Sequence, residues 1–362
     1  MSRRRILALV AEGYGSPGGI AQFNRHLLDA LAERDDLEVR ALGLYGDTDE
    51  GEPQQIEWKA PYKSKAGFAL ASAAEAIRFR PDVIISGLIG FGGLAVPLAK
   101  LTGARLWSVT HGWEAWTAGP WADNWGLRSS DMITSVSRFT RDKLLSWLDR
   151  PSELVELLPN TIDLTRFEPS PRPQHLVERY TVADKKVLVT IGRLAAIDAY
   201  KGQDRIIRLM RELNERCGPV HYIIAGDGDD RPRLEALVSE LAVQEFVTFA
   251  GFISNEDIEG LYHLADAFVM PSTGEGFGIV YLEAMACGCP VVAGNRDGSV
   301  DALADGELGE LVDPDDASAL ADAIERTLAT QRHYDRRIPG VERFAIPAFR
   351  QRVGELVDQL LG

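Results

Sequence analysis

Cysteine is nearly absent: Cys217, Cys287 and Cys289 are the three in 362 residues. That excludes a disulfide framework and points to a reducing compartment. Cys287 and Cys289 flank Gly288 in a small, apolar run; a lone Cys-x-Cys is a poor metal site, so packing is expected. Positive charge is scarce as well. The 39 Lys and Arg stand against 54 Asp and Glu, a net −15, which argues against general nucleic-acid binding through a basic face. Long apolar runs are also missing. Val83 to Ala99 has 17 residues without a charge, but Gly87, Gly90, Gly92, Gly93 and Pro97 break it into strand, loop and helix start, so no transmembrane helix is expected. Behind Ser2-Arg3-Arg4-Arg5, the run Ile6 to Ala11 is too short for a signal peptide and reads as a first strand. No internal repeat or low-complexity segment stands out.

What is present belongs to a soluble globular protein of two domains, with 45% hydrophobic and 26% charged residues. The acidity is uneven. Residues 1–160 hold 18 Lys and Arg and 20 Asp and Glu, whereas residues 161–362 hold 21 and 34. An acidic second half that binds an anion must place specific cations in its site.

The richest stretch is Pro271 to Gly294, PSTGEGFGIVYLEAMACGCPVVAG. Ala267 to Met270 is an apolar strand run, Gly276-Phe277-Gly278 a turn, and Ile279 to Met285 a helix start. Strand, Gly-rich turn and helix N-terminus present backbone N–H groups to a phosphate. Glu275 and Glu283 are eight positions apart, a little over two helical turns, so both can face one pocket.

In the first half, strands are expected at Ile6 to Val10, Val39 to Leu44, Val83 to Ser86, Leu106 to Thr110, Asp131 to Val136 and Val155 to Leu158. Helices are expected at Ala21 to Glu33, Phe68 to Phe79 and Phe139 to Trp147, with an acidic loop from Asp47 to Glu57. Gly18 and Gly19 at the first helix suit an anion or a plain tight turn. The helix at Phe68 has basic flanks (Lys63, Lys65, Arg78, Arg80), read as a solvated face or as a membrane-surface contact. His111 follows a strand end, where ligand contacts gather in open α/β sheets; the alternative is a structural histidine. Trp113, Trp116, Trp121 and Trp125 read as a surface loop whose rings meet a sugar or lipid, or pack on their own domain. Pro159-Asn160 and the Pro-rich run to Pro173 mark a linker.

In the second half, strands are expected at Lys186 to Ile191, Val220 to Ala225, Val247 to Phe249, Pro290 to Ala293 and Leu308 to Val312. Helices are expected at Gln203 to Arg216, Pro232 to Leu241, Asn255 to His263, Ser318 to Leu328 and Phe344 to Leu361. Ser254 is a candidate N-cap with Asp257 as its partner. Arg193 ends one strand and Lys201 precedes the next helix, two cations suited to a diphosphate. Gly226-Asp227-Gly228 reads as a structural turn. The fold class is α/β, with two Rossmann-like doubly wound domains facing a central cleft.

The motifs resemble the retaining glycosyltransferases of family 4, of GT-B fold. They run nearly end to end: the GGI loop at Gly18, HG at His111, PN at Pro159, GRL at Gly192 with YKG at Tyr200, AGDG at Ala225, FAGF at Phe249, and Glu275 through Glu283. The resemblance implies an acceptor-side domain over residues 1–162, a donor-binding domain over 163–340, and a closing helix in 341–362 that crosses back to the first domain. It implies a nucleotide-diphosphate sugar, UDP- or GDP-linked, as substrate, with no further cofactor, no metal, and a glycan or glycolipid acceptor. The expected place is the cytoplasm, with peripheral contact at the inner face of a membrane as the alternative.

On that resemblance Arg193 and Lys201 neutralise the diphosphate, Glu283 holds the ribose hydroxyls and Glu275 those of the transferred sugar. The amides of Gly276, Phe277, Gly278 and Ile279 contact sugar or phosphate, and Phe252 and Ile253 edge the base. Gly18 and Gly19 close on the phosphate, and His111 sits near the sugar. Retention implies front-face attack, with His111, Arg193, Lys201 and Glu275 as the catalytic set. Two departures stand out: Arg193 and Lys201 are eight apart, more than is usual, so the loop Ala195 to Tyr200 is expected to fold away. The later Gly-Gly-x-x-Glu is replaced by Asp297-Gly298-Ser299-Val300-Asp301. Alternatives are a GT-B epimerase or sugar phosphorylase, and a binding-only protein.

Overall fold

The computed structural model describes residues 3–16, 18–46, 56–62, 64–254, 257–330 and 332–362. The chain divides into two compact units, Met1–Thr161 with Ile346–Gly362, and Ile162–Ala345.

The first unit has seven parallel strands: β1 (Arg4–Val10), β2 (Leu37–Gly43), β3 (Glu57–Lys59), β4 (Val83–Ser86), β5 (Arg105–Thr110), β6 (Met132–Ser135) and β7 (Val155–Leu157). Their order is β3-β2-β1-β4-β5-β6-β7, so the chain reverses its winding beside β1. The helices are α1 (Gly19–Ala32), α2 (Lys65–Phe79), α3 (Gly92–Thr102), α4 (Trp121–Ser129) and α5 (Arg138–Leu145). Strand runs such as Ile6 to Val10 are buried throughout, as expected where helices cover both faces of a parallel sheet. Side-chain caps fix several helix starts: Ser64 accepts from Gly67 N–H and Ser137 from Thr140 N–H.

The second unit has six parallel strands: β8 (Lys186–Ile191), β9 (Val220–Ala225), β10 (Val247–Gly251), β11 (Ala267–Met270), β12 (Val291–Gly294) and β13 (Glu310–Val312), ordered β10-β9-β8-β11-β12-β13. Its helices are α6 (Gln174–Tyr180), α7 (Gln203–Cys217), α8 (Arg231–Glu240), α9 (Ile258–Leu264), α10 (Ile279–Ala286), α11 (Ser299–Ala302) and α12 (Ala317–Ala329). Ile206, Met210 and Leu213 of α7 and Leu320 and Ile324 of α12 share one buried cluster with the strand residues Leu188, Tyr222 and Ile224. These spacings are the one-faced apolar stripe of a helix on a sheet. Cys287 and Cys289 are fully buried.

The last helix, α13 (Ile346–Leu361), belongs to the first unit. Phe349 meets Phe23 of α1 edge-to-face at 5.7 Å, and Arg352 bonds the Leu157 carbonyl at 3.2 Å and Glu156 at 2.7 Å. Doubly wound sheets and the returning helix agree with the sequence-based expectation.

Several expectations change. The tryptophan stretch is not all loop: Trp121 opens α4 behind Pro120, and Asn124 clasps Gly119 through both its N–H and its carbonyl. Trp121 stacks on Trp125 at 5.2 Å, and Trp116 is held by Thr140 and Phe139. Part of the acidic loop, residues 47–55, lies outside the described residues, as do Lys63, Asn255 and Glu256. Glu57, expected in that loop, is in β3 beside β2. Helix α9 begins at Ile258, but Ser254 Oγ does accept the Asp257 N–H at 3.2 Å. Helices α6 and α11 were not anticipated, because seven and four residues are too short to show a period.

Candidate functional site

In the second unit the winding reverses between β8 and β11, which are hydrogen-bonded neighbours. Ligand sites of open α/β sheets form outside the strand C-termini at such a switch point. The loop after β8 carries Gly192, Arg193 and Leu194, and the turn after β11 carries Glu275 to Gly278. The sheet order places these two segments side by side.

Backbone packing locks the first of them. Gly192 N–H bonds the Ala225 carbonyl at 2.9 Å, and Leu194 N–H bonds the Asp227 carbonyl at 3.0 Å. A Cβ on Gly226, at φ +136°, would lie 1.9 Å from the Gly192 carbonyl oxygen. Only glycine lets the two turns touch there. The expected structural role of the Gly226-Asp227-Gly228 turn is therefore met.

A buried carboxylate locks the second. Asp297 Oδ2 accepts the Glu275 N–H at 2.8 Å and the Ser272 hydroxyl at 2.5 Å, and Oδ1 accepts the Ser299 N–H at 2.9 Å. Gly298 N–H returns a bond to the Glu275 carbonyl at 2.9 Å, so close that a Cβ on Gly298 would meet the Gly276 oxygen at 2.1 Å. The departure from Gly-Gly-x-x-Glu thus supplies an acid that holds the turn. Sequence reasoning missed it, although an Asp-Gly in place of Gly-Gly was the signal.

Between these turns Lys201 Nζ lies 3.5 Å from Glu275 Oε1, with both side chains about 15% exposed. That oxygen makes no hydrogen bond, so the contact is a charge pair held slightly apart. Burial raises the Glu275 pKa above the usual carboxylate range, Lys201 opposes that rise, and Asp297 adds to it. The Lys201 stem runs past Gly192, with Nζ 3.2 Å from where a Cβ would stand.

The loop from Ala195 does not fold away. Residues Ala196–Lys201 form a 3₁₀ turn that works into the site. Asp198 takes Arg193 by Nε at 2.7 Å and Nη2 at 3.3 Å. The Tyr200 carbonyl accepts the Thr273 N–H at 3.0 Å, and its ring lies against Gly274. The extra residues between Arg193 and Lys201 are thus paired and packed, which spacing alone did not reveal.

Gly278, at φ +90°, caps α10, and the Phe277 ring is buried edge-to-face on Phe344 at 5.6 Å. The backbone of Phe277 to Ile279, not the Phe277 side chain, is what the helix end offers a ligand. Glu283 is buried on α10 and accepts the Tyr262 hydroxyl at 2.7 Å. Burial pushes its pKa up to about 7, against the pull of Tyr262 and Arg166. Phe252 is 81% exposed and Ile253 half-buried, just beyond β10. They stand two strands from β8, at the end of β10 on the sheet's edge.

In the first unit, Gly18 caps α1 at φ +103° and Gly19 is exposed at its start. His111 follows β5 and donates from Nε2 to the Gly87 carbonyl at 2.9 Å, which leaves Nδ1 as its other polar atom. Its ring meets Phe23 at 5.1 Å, and the His111 backbone N–H donates to Glu114 Oε1 at 2.5 Å. These residues gather at the C-terminal ends of β1, β4 and β5. Trp113 is 68% and Trp121 74% exposed. Among the described residues no helix is long and apolar enough to cross a membrane.

Two doubly wound Rossmann-like units define the GT-B class of fold. Sucrose-phosphate synthase from Thermosynechococcus elongatus superposes with a TM-score of 0.78 over 99% of each chain, at 24% identity. The Anabaena protein HepE, solved with UDP and glucose, gives 0.76 over 99% of this chain and 100% of its own, at 21% identity. Residues 17–166 match the model described as Glycosyltransferase Family 4, and residues 176–342 match that of Glycosyl transferases group 1. The chain belongs to glycosyltransferase family 4.

A GDP-mannose-dependent alpha-(1-6)-phosphatidylinositol monomannoside mannosyltransferase of Mycolicibacterium smegmatis is 38% identical over 250 residues, 65% of this chain and 64% of the relative. The Mycobacterium tuberculosis protein of that name is 33% identical over 248 residues, 65% and 63%. An alpha-D-kanosaminyltransferase of Streptomyces kanamyceticus is 31% identical over 244 residues, 67% and 62%. The matched stretch spans less than two thirds of each relative's length.

Proposed function

We propose that the chain transfers a hexosyl group from a nucleoside-diphosphate sugar to a glycan or glycolipid hydroxyl, with retention and without a bound metal. The observation that carries this reading is the Lys201–Glu275 pair at 3.5 Å, beside Arg193 at a sheet switch point. A cation and a largely buried carboxylate there match a substrate with an anionic end and a hydroxylated end. The names of the mycobacterial relatives make GDP-mannose the first donor to test. UDP-sugars are the second, since HepE was solved with UDP.

In this reading Arg193, Lys201 and the N–H groups at the start of α10 take the charge that grows on the leaving diphosphate. Glu275 orients the sugar hydroxyls. The acceptor oxygen attacks the anomeric carbon on the face that the diphosphate leaves. The C1–O bond to phosphate breaks, and the acceptor proton passes to the departing phosphate oxygen. Neither acid becomes a covalent nucleophile; both position the donor. In the first unit Gly18, Gly19 and His111 remain ligand contacts.

Thermal-shift titration with GDP-mannose, UDP-glucose, GDP and UDP tests the reading, because a ligand of the folded state raises the melting temperature by mass action. A shift with one sugar nucleotide, together with mannose or glucose transfer to an added glycan or glycolipid, is expected. No shift with any of the four would overturn it.

The Glu283 carboxyl adds a pH dependence. Its folded pKa of about 7 lies above the ordinary 4.5, so the stability from holding its proton is full below about 4.5 and is lost as pH rises through about 7. Ribose hydroxyls donate to the ionised form, so donor binding expels that proton. Affinity should therefore rise with pH, approaching tenfold per unit below about 7, and level off above. Calorimetry in buffers of different ionisation heat should show proton release at pH 6. A flat profile from pH 5.5 to 8 would remove Glu283 from the ribose site.

A further inference from the structure

We propose that Asp198 is a positioning residue for the donor diphosphate, acting through Arg193; this rests on the donor-binding reading above. The Arg193 side chain is 70% exposed, whereas that of Asp198 is 8% exposed. A long exposed arginine samples many rotamers, and each phosphate contact must otherwise bear the ordering of its stem. Asp198 removes that freedom. Its carboxylate grips the Nε–Nη2 edge of the guanidinium, at 2.7 and 3.3 Å. Among the described residues Nη1 has no partner, so the opposite edge stays available for a phosphate oxygen.

The grip is itself anchored. Asp198 N–H bonds the Ala195 carbonyl at 2.8 Å, and Ala196 N–H bonds Asp229 at 2.8 Å. At the far end of the same turn, Tyr200 accepts the Thr273 N–H at 3.0 Å and covers Gly274. The residues that lengthen the Arg193-to-Lys201 spacing therefore join the β8 loop to the Glu275 turn. A buried acid near a diphosphate would repel it if left bare. Paired edge-on with Arg193, it instead directs the guanidinium and polarises its free N–H groups.

The test is calorimetry of GDP and UDP binding to the full chain and to Asp198→Asn, Asp198→Glu, Arg193→Ala and the Arg193→Ala/Asp198→Asn double variant. For whichever diphosphate binds the wild type, Asp198→Asn should weaken affinity about tenfold, the scale of one charge-assisted hydrogen bond. Asp198→Glu should recover part of it. In the Arg193→Ala background the same Asn substitution should change nothing, because its effect passes through the guanidinium. An equal loss in both backgrounds would mark Asp198 as merely structural and overturn the proposal. Unchanged or tighter binding by Asp198→Asn would overturn it too, tighter binding meaning that the acid competes with the phosphate. A wild type that binds neither GDP nor UDP would remove the donor reading and this proposal with it. A wild type that binds, with no difference in Asp198→Asn, would remove the proposal alone.

Discussion

Lys201→Ala should cost about 100- to 1,000-fold in turnover, the scale of losing one preorganised charge from a leaving-group site. The reason is double. Lys201 is the cation that meets Glu275, at 3.5 Å, and its ammonium is a candidate partner for the departing diphosphate. Without it Glu275 is a largely buried carboxylate missing its counter-charge. Breaking a fully buried pair from one side costs about 3–5 kcal/mol, and this pair, about 15% exposed, should lose less. The protein avoids part of that cost by protonating Glu275, whose pKa is already raised by burial. A raised acid contributes stability below its ordinary pKa and loses it as pH rises. The melting-temperature deficit of Lys201→Ala should therefore be larger at pH 8 than at pH 5. Adding Glu275→Gln should restore much of the stability and none of the turnover. Retention of more than a tenth of wild-type transfer by Lys201→Ala would sink this account.

The second large effect is expected at Asp297. Its carboxylate serves three donors, the Glu275 and Ser299 N–H groups and the Ser272 hydroxyl. Asp297→Ala leaves all three without an acceptor in a buried place. At about 1–3 kcal/mol for each orphaned group, partly relieved by water, the loss should be about 3 kcal/mol. For a unit of this size that is roughly 10 °C in melting temperature. The Glu275 turn would lose its register, so sugar-nucleotide affinity should fall with stability. Differential scanning calorimetry and donor titration of the same variant check both. A variant that melts within about 2 °C of wild type and binds donor normally would show that water replaces the carboxylate at no cost.

How much of this was legible in the sequence differs by level. Strands such as Ile6 to Val10 and Lys186 to Ile191 were visible because parallel strands buried on both faces are unbroken apolar runs. The Glu275 to Glu283 segment was visible because a turn glycine, a helix start and two spaced acids all lie within local sequence. The acids that organise the site were harder to see. Asp297 acts on a turn 22 positions earlier, and nothing local marks Asp198, inside the loop expected to fold away, as the residue that the 3₁₀ turn brings to Arg193. Helix α4 was hidden for a third reason: its two tryptophans, Trp121 and Trp125, stack on each other with Trp121 exposed and form no apolar stripe. Sequence reports local propensity and periodicity; which distant backbone an acid will meet is decided by packing.

The backbone contact of Gly226 with Gly192 has a practical consequence for engineering. A turn held to its neighbour at the distance of two bare peptides has no side chain to trim and no slack to absorb a foreign loop. Exchange of donor preference with a relative by grafting the Arg193 loop alone should therefore yield misfolded chains. The transferable module is the set of segments that touch one another: 192–202, 226–230, 272–278 and 297–299. Moved together, they carry their own contacts into the new host.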